Sequence, residues 1–545
     1  MLVITLMSLF FAIPLFSYSP VQLSRVTSVA FIISAILSLN IYYVDVIGYG
    51  LSLYSGLFHI SSVSLGIEIF ILIVGGIIVL PWTSLTNTSG FMKTIAEYPM
   101  IIIFTSIGSL FLISSSDLIS LYLAIELQSF AVYILSTLYR NSESATAAGL
   151  KYFLLGALSS AFILLGSSLI YAYTGLTNIE SITSLLDSEV NMSAMETAYV
   201  LSPVNLGLLI MSIGLLFKVA AAPFHNWAPD VYDGVPTIVT TWIAVMPKIS
   251  ILTLFLTLFT SDNLLSFSSD STLGLAIDGK LLLLTCSLLS LIIGTVTGLA
   301  QIRIKRLLAY STISHVGFML LALSILSAES VDSFIFYLIQ YSITSVNSFF
   351  VLLALGCSAN RKQDITFISD LSGQFYKNPM LSLSMAVSLL SMAGIPPLLG
   401  FFGKYSVLSN AIHNGYYFLA IIGILTSVIS AGYYLRVIRV LFFDSSESTV
   451  TSESSSSSLD GGSASPCQVT SVHSFIIAIL TLLVLLFILQ PSLILNSTML
   501  MAMNLYYPIR YDYDSFTCFC TYFGRYIINA KCFISCTPTR YWKSN

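Results

Sequence analysis

Four ionisable side chains and one imidazole stand in long apolar runs. They are Glu126 in LYLAIELQSF, Lys218 in GLLFKVAAAPF, Lys248 in AVMPKISIL, Lys404 in FFGKYSVL and His315 in YSTISHVGFML. A charge at bilayer depth costs about 2.5–3.5 kcal/mol on insertion scales. Desolvation disfavours a charged lysine, and a nearby carboxylate favours it again. A buried lysine whose acid partner can move is therefore a proton carrier that can be loaded and emptied. One acid and three lysines in separate apolar segments point to an ion or proton path. Two plainer readings stand beside it. Glu126 and Lys218 could be a static pair, which is weak evidence for stability. Lys248 and Lys404 could snorkel to a surface, although neither has an evident acid partner. His315 is either a relay group or a hydrogen-bonded core histidine.

The elements that must position these groups follow from composition. The chain has 545 residues, 56% hydrophobic and 8% charged, with mean hydropathy +0.91. Soluble domains are about 25% charged, so the fold class is an all-α polytopic membrane protein. A net charge of −4 argues against a nucleic-acid partner, and glycine loops of Walker or Rossmann type are absent. The N-terminal MLVITLMSLFFAIPLF has neither a basic n-region nor a cleavage site, and it is not an Arg-rich presequence; it reads as a first span.

A spanning helix needs about 20 apolar residues, which gives about fourteen segments. They lie near 2–19, 27–45, 65–84, 99–115, 117–138, 148–173, 203–225, 235–260, 278–299, 305–327, 331–357, 380–410, 416–441 and 472–497. Loop charges sort by parity. Odd-numbered loops and their flanks hold Arg25, Lys93, Arg140, Lys151, Arg303, Lys305, Arg306, Arg361, Lys362, Lys377, Arg436 and Arg439, whereas even-numbered loops hold only Lys280 and are rich in acids. By the positive-inside rule the odd loops face the cytoplasm or matrix. His225 then reads as a span-end residue on that side. The tail breaks the pattern, because Arg510, Arg525, Lys531, Arg540 and Lys543 fall on the outer side. Residues 46–62 and 176–200 read as surface-lying connections. The stretch 442–471, with SSESTVTSESSSSSLDGGS, reads as a flexible loop.

Cys286 and Cys357 lie in apolar runs. Cys518, Cys520, Cys532 and Cys536 cluster in the tail, but their spacing fits no standard zinc pattern and no histidine is near. No metal site is expected.

Two spans carry small residues running into proline: Ala220-Ala221-Ala222-Pro223, and Ala393-Gly394-Ile395-Pro396-Pro397. Proline removes a backbone donor and breaks the helix. Paired broken spans in corresponding positions are the sequence sign of an inverted-repeat transporter. The organisation expected is three N-terminal helices over 1–98 and a first five-helix repeat over 99–260 (helices 4–8). A second, inverted repeat follows over 278–441 (helices 9–13), then the loop 442–471, a last helix 472–499 and a tail 500–545. Helices 7 and 12 are discontinuous, and two unrelated kinks are the alternative.

The stretches FKVAAAPFHNWAPDVYDGVP (217–236), IKRLLAYSTISHVGFML (304–320) and MAGIPPLLGFFGKY (392–405) resemble the subunit 2 family of respiratory NADH–ubiquinone oxidoreductase, complex I. The resemblance covers spans 4–13 and extends over nearly all of residues 1–500. It implies a proton-translocating membrane-arm subunit in which Glu126 pairs with Lys218, Lys248 is central, His315 is a relay group and Lys404 is terminal. It also implies that NADH, FMN, iron–sulfur clusters and ubiquinone are served by other subunits, with no cofactor on this chain. The partners would be other membrane-arm and accessory subunits and phospholipids. The location would be the mitochondrial inner membrane, organelle-encoded, or a bacterial plasma membrane. Lys404 argues against the subunit 4 family, which usually has glutamate there, and 500–545 is too short for the lateral helix of subunit 5. Bacterial cation/proton antiporter subunits are the nearest competitor, and a structural membrane-arm subunit is the other alternative.

Overall fold

A computed structural model describes residues 1–15, 19–42, 50–81, 95–139, 142–189, 194–260, 279–358, 364–444 and 470–506. The principal helices are α1 (Leu2–Leu15), α2 (Pro20–Tyr42), α3 (Ser62–Val79), α4 (Tyr98–Ser114), α5 (Leu118–Thr137), α6 (Glu143–Thr174), α7 (Ala194–Val219), α8 (Thr237–Thr260), α9 (Gly279–Leu299), α10 (Ile304–Ile325), α11 (Ala328–Ser358), α12 (Pro379–Ala393), α13 (Leu399–His413), α14 (Tyr417–Phe442), α15 (Ser471–Leu486) and α16 (Ser492–Tyr506). Ten helices among the described residues are long and apolar enough to cross a membrane, and shorter apolar helices accompany them. The short helices Ile179–Glu189, Trp227–Gly234 and Gln374–Lys377 lie in connections.

Loops of like parity meet each other. On one side, Lys151 and Arg306 pair with Asp230, Arg303 and Arg306 pair with Asp233, and Lys305 pairs with Asp364. These contacts join the flanks of the fifth, seventh, ninth and eleventh connections. On the other side, Ser116 N–H donates to Leu57 O and Ile179 N–H to Ser116 O. Asn410 donates to the Glu329 carbonyl there as well. The sorting first visible in the charges is thus written into the hydrogen bonds.

Several boundaries differ from the sequence reading. Residues 51–60 form a β-hairpin, with Leu51 opposite Ile60, so the chain is not purely helical. The connection 176–200 holds helix Ile179–Glu189 and the first turns of α7. The last span stops earlier than 499. A 3₁₀ turn ends at Leu489, Gln490 leaves the helical conformation at φ −140° and ψ 70°, and α16 starts after Pro491 and runs into the tail. Proline disfavours helix in the residue before it and has no N–H to continue the ladder. The Ser-rich loop from 445 to 469 and the tail cysteines lie outside the described residues.

Helices α8, α10 and α11 are buried along most of their length and form the centre. The helices α6 and α7 approach closely: a Cβ on Gly166 would lie 2.5 Å from Gly207 O. Such small-residue contacts are how membrane helices gain packing without a hydrophobic drive. Here they bring Ser160 of α6 to Lys218 of α7.

Candidate functional site

Lys218 lies in the last turn of α7, where the helix stops. Ala220 takes φ 65°, and Ala221 N–H donates back to Leu216 O at 3.1 Å. Trp227 Nε1 donates to Phe217 O at 2.8 Å. The break between α12 and α13 repeats this pattern. Gly394 takes φ 89°, and Ile395 N–H donates to Leu390 O at 3.2 Å. In both places the left-handed residue is followed three positions later by the second residue of a cis X–Pro bond, Pro223 or Pro397. The six-to-one bond and the left-handed turn together are the usual way a helix end satisfies its orphan carbonyls. Pro396 precedes the second cis bond. With Ala220 matched to Gly394, Lys218 precedes its break and Lys404 follows its own.

The Lys218 ammonium lies 3.7 Å from Glu126 Oε1. It donates to Ser129 Oγ at 2.6 Å and Ser160 Oγ at 3.0 Å. Two neutral hydroxyls thus hold the lysine closer than the acid does, so the acid can move without stranding the ammonium. Beside it is a cavity of about 20 Å³ lined by Gln128, Ser129, Tyr133, Tyr152 and Lys218, enough for a water molecule. Gln128 and Ser250 exchange hydrogen bonds at 2.9 and 3.2 Å, linking α5 to α8 close to Lys248.

Lys248 is 2% exposed. It follows Pro247, which leaves the helix ladder incomplete. Nearby, Tyr341 Oη donates to Ala244 O at 3.2 Å. The ammonium donates to Thr312 Oγ1 at 3.0 Å and lies over the rings of Tyr232 and Tyr341 at 5.6 and 5.8 Å. His315 lies one turn beyond Thr312. Its Nδ1 is 2.8 Å from Tyr337 Oη and its Nε2 3.3 Å from Tyr434 Oη. Another turn on, Phe318 presents its ring to the Lys404 ammonium at 5.6 Å. Lys404 donates to Ala393 O at 2.9 Å, at the C-terminus of α12. Cations are favoured at helix C-termini, where carbonyls are unpaired. Neither Lys248 nor Lys404 has an ion pair among the described residues.

The structure therefore brings Glu126 to Lys218, and strings Lys248, His315 and Lys404 along α10. Thr312, Ser129, Ser160, Tyr337 and Tyr434 escaped the sequence reading, because hydroxyl residues in apolar runs are common and only their partners distinguish them. Glu68 also escaped it. The acid stands within α3 in LGIEIFIL, the same signal that singled out Glu126. His225, read as a span-end residue on the inner side, lies just beyond the end of α7, is 9% exposed and faces the Tyr310 ring at 6.4 Å.

Residues 115–430 match the family described as NADH:quinone oxidoreductase/Mrp antiporter, transmembrane. The chain is 47% identical to NADH-ubiquinone oxidoreductase chain 2 of Rhizopus oryzae, over 93% of this chain and 100% of that one. The chain belongs to this NADH–ubiquinone oxidoreductase chain 2 family. Within the family it is 40% identical to the NADH-quinone oxidoreductase subunit N of Rhodospirillum rubrum, over 64% of this chain and 67% of that one. A chain of respiratory complex I from Thermus thermophilus shares the fold at TM-score 0.69 and 26% identity, covering 91% of this chain and 99% of that one. A chain of the Mrp complex from Dietzia superposes at TM-score 0.73 with 18% identity, covering 94% of this chain and 97% of that one, a likeness of fold alone. The matched stretch contains Glu126, Lys218, Lys248, His315 and Lys404, together with both helix breaks.

Proposed function

We propose that this chain is a proton-translocating membrane-arm subunit of NADH:ubiquinone oxidoreductase, moving protons through Glu126, Lys218, Lys248, His315 and Lys404. The observation that carries this is the Glu126–Lys218 pair, held at 3.7 Å while the lysine rests on two serine hydroxyls. A carboxylate approaching Lys218 favours the ammonium, and one withdrawing favours release of the proton. Glu126 is the coupling acid, responding to neighbouring subunits. Lys218 is the first carrier, Lys248 the middle one, and Lys404 the terminal one. His315 passes a proton between its two ring nitrogens, each within reach of a tyrosine hydroxyl.

The stretches 99–260 and 278–441 act as two inverted repeats, a reading supported by the matched helix ends at Ala220 and Gly394. No NADH, FMN, iron–sulfur cluster or ubiquinone is held by this chain; the redox work belongs to other subunits, and its free energy arrives through membrane-arm and accessory partners. The chain works in the mitochondrial inner membrane, among phospholipids, and is organelle-encoded.

The test is Lys218→Met and Glu126→Gln in the assembled enzyme, with protons translocated per electron measured in sealed vesicles. Unchanged stoichiometry in both would overturn the relay.

A further inference from the structure

The short helix Trp227–Gly234 touches both the first and the middle carrier, and the relay gives it no part. Trp227, Ala228, Val231 and Tyr232 form its buried face, and Asp230 and Asp233 lie on the opposite one. Trp227 gives its indole N–H to Phe217 O at 2.8 Å, the carbonyl just before Lys218. The same carbonyl accepts from Ala220 N–H at 3.1 Å, so Trp227 grips the turn at which α7 stops. At the other end of the helix, the Tyr232 ring lies 5.6 Å from the Lys248 ammonium. Both aromatic side chains are buried, at 2% and 0% exposure.

The acidic face ties the helix to its neighbours. Asp230 accepts from Lys151 of α6 and from Arg306 of α10, each at 3.0 Å. Asp233 accepts from Arg306 Nε at 3.1 Å and from Arg303. Arg306 alone among the described residues reaches both aspartates. Its planar fork presents donors to two carboxylates at once, which a lysine cannot do with the same geometry. These ties close two circuits. On α6, Lys151 holds Asp230, Tyr152 stacks on Trp227 at 4.6 Å and 12°, and Ser160 accepts from Lys218. On α10, Arg306 holds both aspartates, and Thr312 accepts from Lys248. Thr312 stands about 9 Å further along that helix. Gly234 fits closely against α6, where a Cβ would lie 2.8 Å from Ser144 O. A shift of the short helix therefore moves the Lys218 turn and the ring beneath Lys248 together.

We propose that the helix Trp227–Gly234 is a strut that keeps Lys218 and Lys248 in step, and that Arg306 is the residue that pins it. This rests on the relay reading above and adds the part that joins its first two lysines mechanically. Arg306 touches neither lysine, so it is a positioning residue. Through Asp230 and Asp233 it holds the strut, and through α10 it holds Thr312. The two groups on which Lys248 rests, the Thr312 hydroxyl and the Tyr232 ring, are thereby kept at one spacing. The Lys151–Asp230 pair is open to solvent and adds little by itself. Asp233, 6% exposed at its side chain, is the stronger anchor.

The experiment replaces Arg306 in the assembled enzyme in sealed vesicles, measuring protons translocated, NADH oxidised and the amount of assembled complex. Arg306→Gln frees the strut. Translocation per assembled complex falls about threefold or more, less than the roughly 10²-fold or more of a proton-transfer group itself. NADH oxidation falls less, so the ratio of protons to electrons drops. A role in folding alone would lower the amount of complex and leave that ratio at the parent value, which overturns the proposal. Asp233→Asn gives the same loss, and the double variant loses no more than either single one, because residues of one network are not additive. Losses that multiply would show two separate effects and no pin. Arg439→Gln removes a like charge from the last turn of α14, on the same side and outside this network. It stays within about twofold of the parent, as surface changes do; an equal loss there would assign the effect to inner-face charge and sink the strut. A normal ratio in Arg306→Gln, with loss in Lys218→Met, removes the strut and leaves the relay standing. Normal ratios in both remove the relay itself. Should Arg306→Gln fail to assemble, Asp233→Asn decides: a lower ratio supports the strut, and an unchanged one overturns it.

Discussion

Thr312 and Phe318 stand on one face of α10, and each holds a different lysine. Thr312 accepts from Lys248 at 3.0 Å, and the Phe318 ring lies 5.6 Å from the Lys404 ammonium, with His315 between them. Residues three apart on a helix are neighbours on its surface. The helix α10 is thus the bridge between the middle and terminal lysines.

The Lys248 hydrogen bond gives the first expected outcome. Thr312→Val keeps the shape of the side chain and removes the only oxygen among the described residues that accepts from Lys248. Coupled proton translocation should fall by about tenfold or more, a smaller effect than the roughly 10²–10⁴-fold that a positioned proton-transfer group itself supplies, because Thr312 only holds the carrier. Thr312→Ser restores the oxygen and should restore translocation. The stoichiometry of protons to electrons in sealed vesicles reads both.

Lys404 is expected to be separable from the helix break it caps. The break is held by backbone bonds, Gly394 N–H to Leu390 O at 3.1 Å and Ile395 N–H to Leu390 O at 3.2 Å. These survive Lys404→Met, which also fills much of the space of the stem. Assembled complex should therefore stay near the parent level while translocation falls about tenfold or more. Native gels and vesicle acidification measure the two separately. Loss of assembly together with translocation would show that the lysine serves mainly as a cap.

The two breaks differ in what they cost the backbone. Ala220 sits at φ 65° with a side chain, and Gly394 at φ 89° without one. The left-handed region costs a non-glycine residue roughly 1–2 kcal/mol. Ala220→Gly should recover about 1 kcal/mol, less the extra freedom glycine gives the unfolded chain. Gly394→Ala should lose roughly 1–2 kcal/mol, and its Cβ would press on the Lys404 stem at 2.9 Å. Thermal inactivation of the isolated enzyme should move in opposite directions for the two variants.

The mostly helical membrane fold, the charge parity and the five polar groups in apolar runs were legible in the sequence, because each depends on residue type against an apolar background, whereas ten of the fourteen expected spans are matched by helices among the described residues that are long and apolar enough to cross. Glu126 and Lys218 stand out wherever apolar runs are read for charges. The hydroxyl partners do not. Thr312 is one of many hydroxyls that bond to their own helix, and only tertiary packing puts it against Lys248. The helix end at Val219 falls at the break that Ala220-Ala221-Ala222-Pro223 announced, and only the left-handed turn at Ala220 was not legible, because alanine favours helix by itself. Pro491 carried a visible signal for the end of the last span, and the long apolar run masked it.

The inner-face pair of Lys305 and Asp364 leads to the last expectation. Asp364 accepts from the Lys305 ammonium at 2.8 Å and from Thr237 N–H at 2.9 Å, so it fastens the start of α8 to the start of α10. Burial pushes the Asp364 carboxyl up, but the Lys305 charge and these hydrogen bonds outweigh it and hold the carboxyl below its ordinary value. A carboxylate whose folded value is depressed stabilises the fold fully above the unfolded value and loses that contribution as pH falls through the folded one. The unfolded value is near 4, so the pair is at full strength across the physiological range and weakens only in more acidic solution. Asp364→Asn keeps the shape but leaves the Lys305 side chain, 4% exposed, without its counter-charge. Removing one partner of a buried pair costs about 3 kcal/mol or more. Less stable complex is therefore expected from pH 6 to 8, with the gap to the parent enzyme closing below about pH 4. Chemical denaturation of the detergent-solubilised enzyme at several pH values measures the gap, and a gap that widened on acidification would contradict this sign.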